Sequence, residues 1–387
     1  RLWINPATNS TYKEGDRMPR VRLLKTLKKI AAAHDPVRLF YRGEFADIID
    51  REMRANGGIV RKEDLAAYRV RVHETPLIAK LKNGLSICGG PPPSGFAVAQ
   101  LIINLMSNLY PNATAQQLRD DPLPYSHYIE TMKFAYAQRT KLGDAAVVPS
   151  AAKLVQHLLS QEFLESVLEK VTDIAQKTDY YGGDNRAARS DYGTSHVSVL
   201  DKDGNGVSVT STVNRWFGAV VESEELGIVW NNEMDDFSTP GSANSYGYAP
   251  AEANFIAPGK RPMSSMSPLI AFDEKTRKVR MVVGASGGAR IISTVAKTAI
   301  RTLVFGETVK EAIDAPMPHN QFTPDITHSE PHFPSELKSI LSTNFGQNFK
   351  NTTTYSGVVQ AIHVSSEGKI EACGDFRRKT DQTPAGL

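Results

Sequence analysis

Cysteine is nearly absent: of 387 residues, only Cys88 and Cys373 carry a thiol. Two cysteines without a CxxC spacing exclude a disulfide-stapled scaffold and a cysteine-ligated zinc ribbon. They can pair with each other or stand as two buried thiols. Long hydrophobic runs are missing too, since none reaches the roughly 18 to 20 residues that a membrane-spanning helix needs. The longest, Phe96 to Met106, contains Gln100 and Asn104 and follows Ser94, a reasonable helix cap. A surplus of one charge is also lacking. The 45 basic and 42 acidic side chains leave a formal net charge of +3, too even for a nucleic-acid partner or an anionic membrane surface. The densest basic runs, Lys25 to Lys29 and Arg377 to Lys379, are short and read as solvated faces. No internal repeat, low-complexity tract or signal-peptide pattern occurs. The chain opens on Arg1, and the expectation is a removed leader or a cut from a longer protein.

What is present is globular. Hydrophobic residues make up 41% and charged residues 22%, enough for a substantial core in two or three domains or one large layered one. Up to about residue 180 the apolar spacing is helical, over Val21 to Ala33, Phe96 to Leu109, Tyr125 to Leu142 and Ala152 to Val171. One strand pair interrupts it, Pro76 to Cys88 turning at Lys82-Asn83-Gly84. A short helix should follow Gly57-Gly58, with Glu63 and Asp64 at its positive end. Tyr181 to Asp191 reads as an exposed linker. Strands are expected at 194–200, 206–213, 227–231, 268–273 and 278–283, then a helix over 288–304. Sequons stand at Asn9, Asn112 and Asn351, compatible with glycosylation outside the cytosol.

The stretch from 194 to 214, TSHVSVLDKDGNGVSVTSTVN, carries the most specific signal. Side chains alternate along a strand, so Thr194, His196 and Ser198 share one face, and Thr210, Thr212 and Asn214 share one on the return. A three-residue turn at Lys202-Asp203-Gly204 with Gly204 left-handed pairs Asp201 with Asn205 and sets Thr194 opposite Thr212, whereas a two-residue Asp-Gly turn would oppose Thr194 to Val213. Two hydroxyls and an amide then converge beside the Gly193–Thr194 peptide bond. The run from Asp201 to Gly206 also copies the start of an EF-hand loop, but Thr212 stands where the bidentate Glu is required and the flanks are strands. The turn is the better reading.

Residues 194 to 218, ending Asn214-Arg-Trp-Phe217-Gly218, resemble the signature of the γ-glutamyltransferase (γ-glutamyltranspeptidase) family. So do Asn231-Asn-Glu-Met-Asp-Asp-Phe237, Pro258 to Pro268 (PGKRPMSSMSP), Gly284-Ala-Ser-Gly-Gly288, Gly89-Gly-Pro-Pro-Pro-Ser-Gly95 and Met132-Lys-Phe-Ala-Tyr136, in the same order. The resemblance implies an N-terminal-nucleophile hydrolase, α+β in class, with a four-layer αββα sandwich. It implies self-cleavage between Gly193 and Thr194, leaving residues 1–193 as the C-terminal, mostly helical portion of a large subunit. Residues 194–387 become the small catalytic subunit, held with the first as a heterodimer. Thr194, its new α-amine acting as base, would take the γ-glutamyl group of glutathione or a related compound and pass it to water, an amino acid or a dipeptide.

By the same resemblance Thr212 orients Thr194, and Gly287 and Gly288 offer N–H groups to the oxyanion. Glu233 and Asp236 bind the donor's ammonium, while Asn214, Ser264 and Ser265 hold its α-carboxylate. No cofactor or metal is implied. Asp235 is left structural, His196 is read as a strand residue rather than a base, and residues 238–250 as a lid carrying Tyr246. The family's large subunit continues upstream and supplies an arginine for the carboxylate and, in eukaryotic members, a membrane anchor, so the implied location is extracellular or at the cell surface. Arg61 stands where relatives commonly have a capping Thr. Two rivals remain. One is a GxSxG serine hydrolase at Ser286, with Asp314 or Asp325 and His328, His332 or His363 completing a triad. The other is an unprocessed, non-catalytic homologue.

Overall fold

The computed structural model describes residues 3–183, 193–242, 250–353, 355, 357–378 and 383–386. The chain divides into two compact units, one from residues 1–73 and 217–232, the other from 74–216 and 233–387. No described helix is long and apolar enough to cross a membrane.

The smaller unit is a helical cluster closed by a returning segment. Helices Val21–Ala32, Pro36–Tyr41, Glu44–Ala55 and Lys62–Ala67 follow a two-stranded ribbon of Ile4–Asn5 and Ser10–Thr11. Phe45, Ile48 and Ile49 bury against Leu226, with Ile228 and Trp230 packed around them. The Thr26 hydroxyl donates to the Leu226 carbonyl at 2.8 Å. The strand expected at 227–231 is only a single bridge, Glu222 to Val229, because these apolar residues pack on helices rather than on a sheet. At Arg61 a guanidinium has no acceptor to offer an N-terminal turn. Asp64 instead accepts the Arg61 N–H at 2.8 Å, one half of a capping box.

The larger unit is built on a six-stranded antiparallel sheet. Its order is Ile370–Gly374, Val358–Val364, Val279–Ser286, Leu269–Asp273, Leu85–Gly89, Leu77–Lys80. Val279–Ser286 is central and buried from Met281 onward. One face of the sheet carries Phe96–Leu109 and Arg290–Ala299, with Leu123–Arg139 packed on the first of these. The other face carries the hairpin Thr194–Leu200 and Gly206–Thr212. Cys88 and Cys373 lie on strands four inter-strand steps apart in this order, near 19 Å by the usual ~4.8 Å spacing. They are two free thiols, since a disulfide cannot span that distance.

The hairpin inverts the usual amphipathic rule. Its inward face is polar: Ser198 Oγ donates to the Gln360 carbonyl at 2.9 Å and Ser208 Oγ to that of Val283 at 3.0 Å. Its outward face presents Val197, Val199, Val207 and Val209, each about half exposed. Hydrogen bonds into the central strands therefore hold the two sheets together here.

Two further expected elements differ. The single helix over 152–171 is two, Pro149–Leu158 and Gln161–Leu168, broken where Ser160 Oγ caps the Phe163 N–H at 3.1 Å. The helix over 288–304 is α-helical only as Arg290–Ala299 and continues as a π-turn, Ile300–Val304. The strands Val358–Val364 and Ile370–Gly374 and the helices Val309–Asp314 and Ser335–Thr343 went unforeseen. Most of the 181–191 linker lies outside the described residues.

Candidate active site

The hairpin has the expected turn. Gly204 adopts φ 84°, the Asp201 N–H donates to the Asn205 carbonyl at 3.0 Å, and Thr194 pairs with Thr212. Asp201 spends its carboxylate on the turn itself, accepting from the N–H groups of Asp203 and Asn205 at 2.9 and 2.8 Å. The Asn205 side-chain amide, donating to the other carboxylate oxygen at 2.8 Å, together with those bonds holds the Asp201 pKa below the usual value.

At the open end the hydrogen bonds leave one consistent arrangement of protons. Thr212 Oγ1 donates to the Gly193 carbonyl at 3.2 Å and accepts the Asn214 N–H at 2.8 Å. It lies 3.0 Å from Thr194 Oγ1. Its only proton is committed to Gly193, so Thr194 must be the donor in that contact. Asn214 reaches this position by adopting φ 69°, a left-handed conformation that asparagine tolerates better than most residues. At Gly193 a Cβ would collide with the backbone of Asn214 and Arg215. The glycine is thus a packing requirement of the junction.

Thr194, Thr212 and Asn214 open into a pocket that is also lined by Arg139, Glu233, Asp236, Ser264, Ser265 and Gly288. Glu233 and Asp236 share one short 3₁₀ turn. Burial and the neighbouring Glu233 charge push Asp236 up to about 8, against a pull from the Arg139 guanidinium. Burial also raises Glu233. The pocket thus brings together two carboxyls with raised pKa values, several hydroxyls and a guanidinium.

The serine loop is pinned from behind. Ser264 N–H donates to the Pro93 carbonyl at 2.8 Å, and Gly95 N–H to that of Met266 at 2.8 Å. The Asn254 side chain ties the loop to the acidic turn, accepting the Met263 N–H at 2.9 Å and donating to the Asp236 carbonyl at 2.8 Å. The motif from Gly89 to Gly95 is therefore scaffold: a Cβ on Gly95 would press on Ile292 and Ser267.

Gly287 and Gly288 sit between the central strand and the helix Arg290–Ala299 at φ 132° and 57°, conformations that favour glycine. Ser286, just before them, is buried and accepts a bond from Arg378 Nη2 at 3.0 Å. Among the described residues none of His328, His332 and His363 hydrogen-bonds it. His363 pairs with Met281 while Ser286 pairs with Val358, and His328 belongs to a separate three-stranded sheet. The serine triad is not assembled.

His196 bonds Thr210 Oγ1 through Nδ1 at 2.9 Å and Ser198 Oγ through Nε2 at 3.1 Å, not Thr194 or Thr212. Burial lowers its pKa to about 4. The ring lies flush on Gly284, where a Cβ would overlap it. Tyr246 and most of the expected lid lie outside the described residues. Arg139 was missed in the sequence. It ends a helix whose buried face holds Met132, Phe134, Ala135 and Tyr136, and an arginine closing such a stretch was the available signal.

Residues 1–385 match the gamma-glutamyltranspeptidase family. The glutathione hydrolase proenzyme of Escherichia coli (strain K12) is 36% identical over 384 residues, covering 96% of this chain and 62% of that protein. Scoloptoxin SSD14 of Scolopendra dehaani is 36% identical over 379 residues, covering 97% of this chain and 64% of its own. The chain thus spans less than two thirds of the length of these relatives. In fold it is similar to the cephalosporin acylase of Bacillus halodurans, with a TM-score of 0.77 over 96% of this chain and 63% of that one at 23% identity. This chain, α+β in class, belongs to the γ-glutamyltranspeptidase family.

Proposed function

We propose that the chain cuts itself between Gly193 and Thr194 and then transfers γ-glutamyl groups from glutathione or related donors to water, amino acids or dipeptides. One observation carries this reading: the hydrogen-bonded chain Thr194 O–H to Thr212 Oγ1 and Thr212 O–H to Gly193 C=O. Thr212 polarises the carbonyl that Thr194 attacks and stands ready to receive the proton that Thr194 gives up. The Thr194 oxygen bonds to the Gly193 carbonyl carbon, the C–N bond breaks, and the nitrogen leaves protonated as an amine. Water then opens the ester, freeing a Gly193 carboxylate and the Thr194 hydroxyl.

The new amine sits on the same residue as the hydroxyl and serves as its base in turnover. The acyl group passes from donor to Thr194 and on to water or an acceptor amine, with the N–H groups of Gly287 and Gly288 facing the oxyanion. Each such donor contributes about 3 kcal/mol in other hydrolases. Glu233 and Asp236 complement the donor's ammonium, and Asn214, Ser264 and Ser265 its α-carboxylate. No metal or cofactor enters these steps. Residues 1–193 and 194–387 would remain together as a heterodimer. An extracellular or cell-surface location belongs to the same proposal, supported by the exposure of the sequon residues Asn9, Asn112 and Asn351.

Denaturing electrophoresis with N-terminal sequencing tests the first step, and p-nitroaniline release from a γ-glutamyl anilide tests the second. Two fragments, the smaller beginning TSHVSV, together with anilide turnover are expected. Turnover by a chain still intact at residue 194 would refute the mechanism.

A further inference from the structure

We propose that Arg139 is a positioning residue of the pocket, which makes Ser265 a committed hydrogen-bond donor to the carboxylate of the ligand; this rests on reading the pocket as a γ-glutamyl donor site.

Arg139 ends the helix Leu123–Arg139 and is 7% exposed, with its guanidinium on the pocket wall. Its Nη2 donates to Ser265 Oγ at 3.0 Å. A hydroxyl has one proton and two acceptor lobes, and a guanidinium has no acceptor at all. The arginine therefore fills one lobe of Ser265 and cannot take its proton, which is left to point elsewhere. The neighbouring serine is set the same way by the backbone, Ser264 Oγ accepting the Met266 N–H at 3.1 Å. Two adjacent hydroxyls, each engaged from behind, both line the pocket and can offer it their protons. That pattern receives an anion.

The charge of Arg139 acts in the same direction. The same pocket carries Glu233 and Asp236, and the guanidinium is the cation that acts on Asp236. Without it a ligand carboxylate would lose a favourable charge, while an ammonium would lose a repelling like charge that offsets the further rise of the Asp236 pKa. Loss of Arg139 should consequently discriminate among donors, whereas loss of a purely structural residue should weaken all of them alike.

The test compares three p-nitroanilides: γ-glutamyl, glutaryl (no ammonium) and 4-aminobutyryl (no α-carboxylate). For Arg139→Gln, KM for the two carboxylate-bearing donors should rise about ten- to hundred-fold, the usual effect of losing one charge-supported hydrogen bond. Their kcat should change much less, and kcat/KM for the 4-aminobutyryl anilide should stay within about twofold. Ser265→Ala reads the same glutaryl-to-aminobutyryl ratio from the other partner and stands in if Arg139→Gln fails to fold. Arg139→Lys should restore part of the ratio. The double variant should lose little beyond the worse single one, because both remove the same interaction. Equal losses on all three donors, or additive losses in the double variant, would overturn the proposal.

Should the wild-type chain turn over no donor, the functional reading fails, and calorimetric binding of glutarate then decides this inference. Glutarate binding that weakens in Ser265→Ala and Arg139→Gln supports the anion subsite. Absence of glutarate binding to the wild type, or binding indifferent to both substitutions, removes it.

Discussion

At Thr212 a single hydroxyl serves three partners, and its removal separates chemistry from folding. Thr212→Val keeps the shape and β-branching of the side chain but deletes the donor to Gly193 and the acceptor for Thr194. Self-cleavage should slow by about 10²- to 10³-fold, the usual effect of losing one oxyanion donor, with the hairpin intact by circular dichroism. Thr194→Ala should leave the chain uncut indefinitely, since no other oxygen replaces the nucleophile. The carboxyl pair predicts a pH dependence. Asp236, pushed up to about 8 by burial and by Glu233, binds its proton more tightly folded than unfolded. It therefore stabilises the fold most below its unfolded pKa near 4, and that contribution is lost as the pH climbs through about 8. At about 1.4 kcal/mol per pKa unit the loss is on the order of a few kcal/mol. Urea titrations at pH 5 and 8.5 should show a smaller pH difference for Asp236→Asn than for the wild type, and equal differences would contradict the assignment. A bound ammonium needs both acids ionised, so KM for a γ-glutamyl donor should fall from pH 6 towards 8.

Among the elements, the hairpin was the most legible and the least conventional. Its turn, register and the meeting of Thr194 with Thr212 all follow from strand alternation and one left-handed glycine, both local properties. What alternation could not say is that the hydroxyl face turns inward and the valines outward. That depends on the carbonyls of Val283 and Gln360, supplied by strands more than seventy residues further along. The same distance hid the strands Val358–Val364 and Ile370–Gly374 and made Arg139 look like an ordinary helix end, its partner Ser265 being 126 residues away. The acidic turn and the serine loop were legible only through family resemblance, because acids and serines in short loops carry no geometry of their own. Between the two sheets, Gly284 and His196 interlock. Gly284→Ala should force them apart and cost about 1–3 kcal/mol, as overpacking does. It should also slow self-cleavage, because Thr194 lies two residues from His196. Paired with His196→Ala, which clears the space, it should cost much less than the sum of the two single changes. Additive losses in denaturant unfolding would show that the ring and the glycine do not oppose one another.

At the scale of the whole molecule, the chain buries both sides of the proposed cleavage junction in shared cores. The larger unit takes residues 74–216 and 233–387, and its core joins Phe96, Ile102 and Met132 from before residue 194 to Val283, Ile292 and Val295 from after it. Polar ties cross as well: Tyr128 Oη donates to the Ser293 carbonyl at 2.6 Å and Tyr136 Oη to that of Ala289 at 2.7 Å. The smaller unit is likewise shared, with Leu226 packed among Phe45, Ile48 and Ile49. Cutting one peptide bond removes none of these contacts, so the two fragments should co-elute as one species on gel filtration. Because the shared cores are mainly apolar, 1 M salt should not part them, whereas concentrated urea should. Cleavage does change the statistical problem, since refolding becomes an encounter of two chains and apparent stability acquires a mass-action term. The melting temperature of the cleaved protein should rise with protein concentration, while that of an uncut Thr194→Ala chain should not. A cleaved sample whose fragments separate at micromolar concentration in buffer would mean that the covalent junction, rather than the shared cores, had been holding them together.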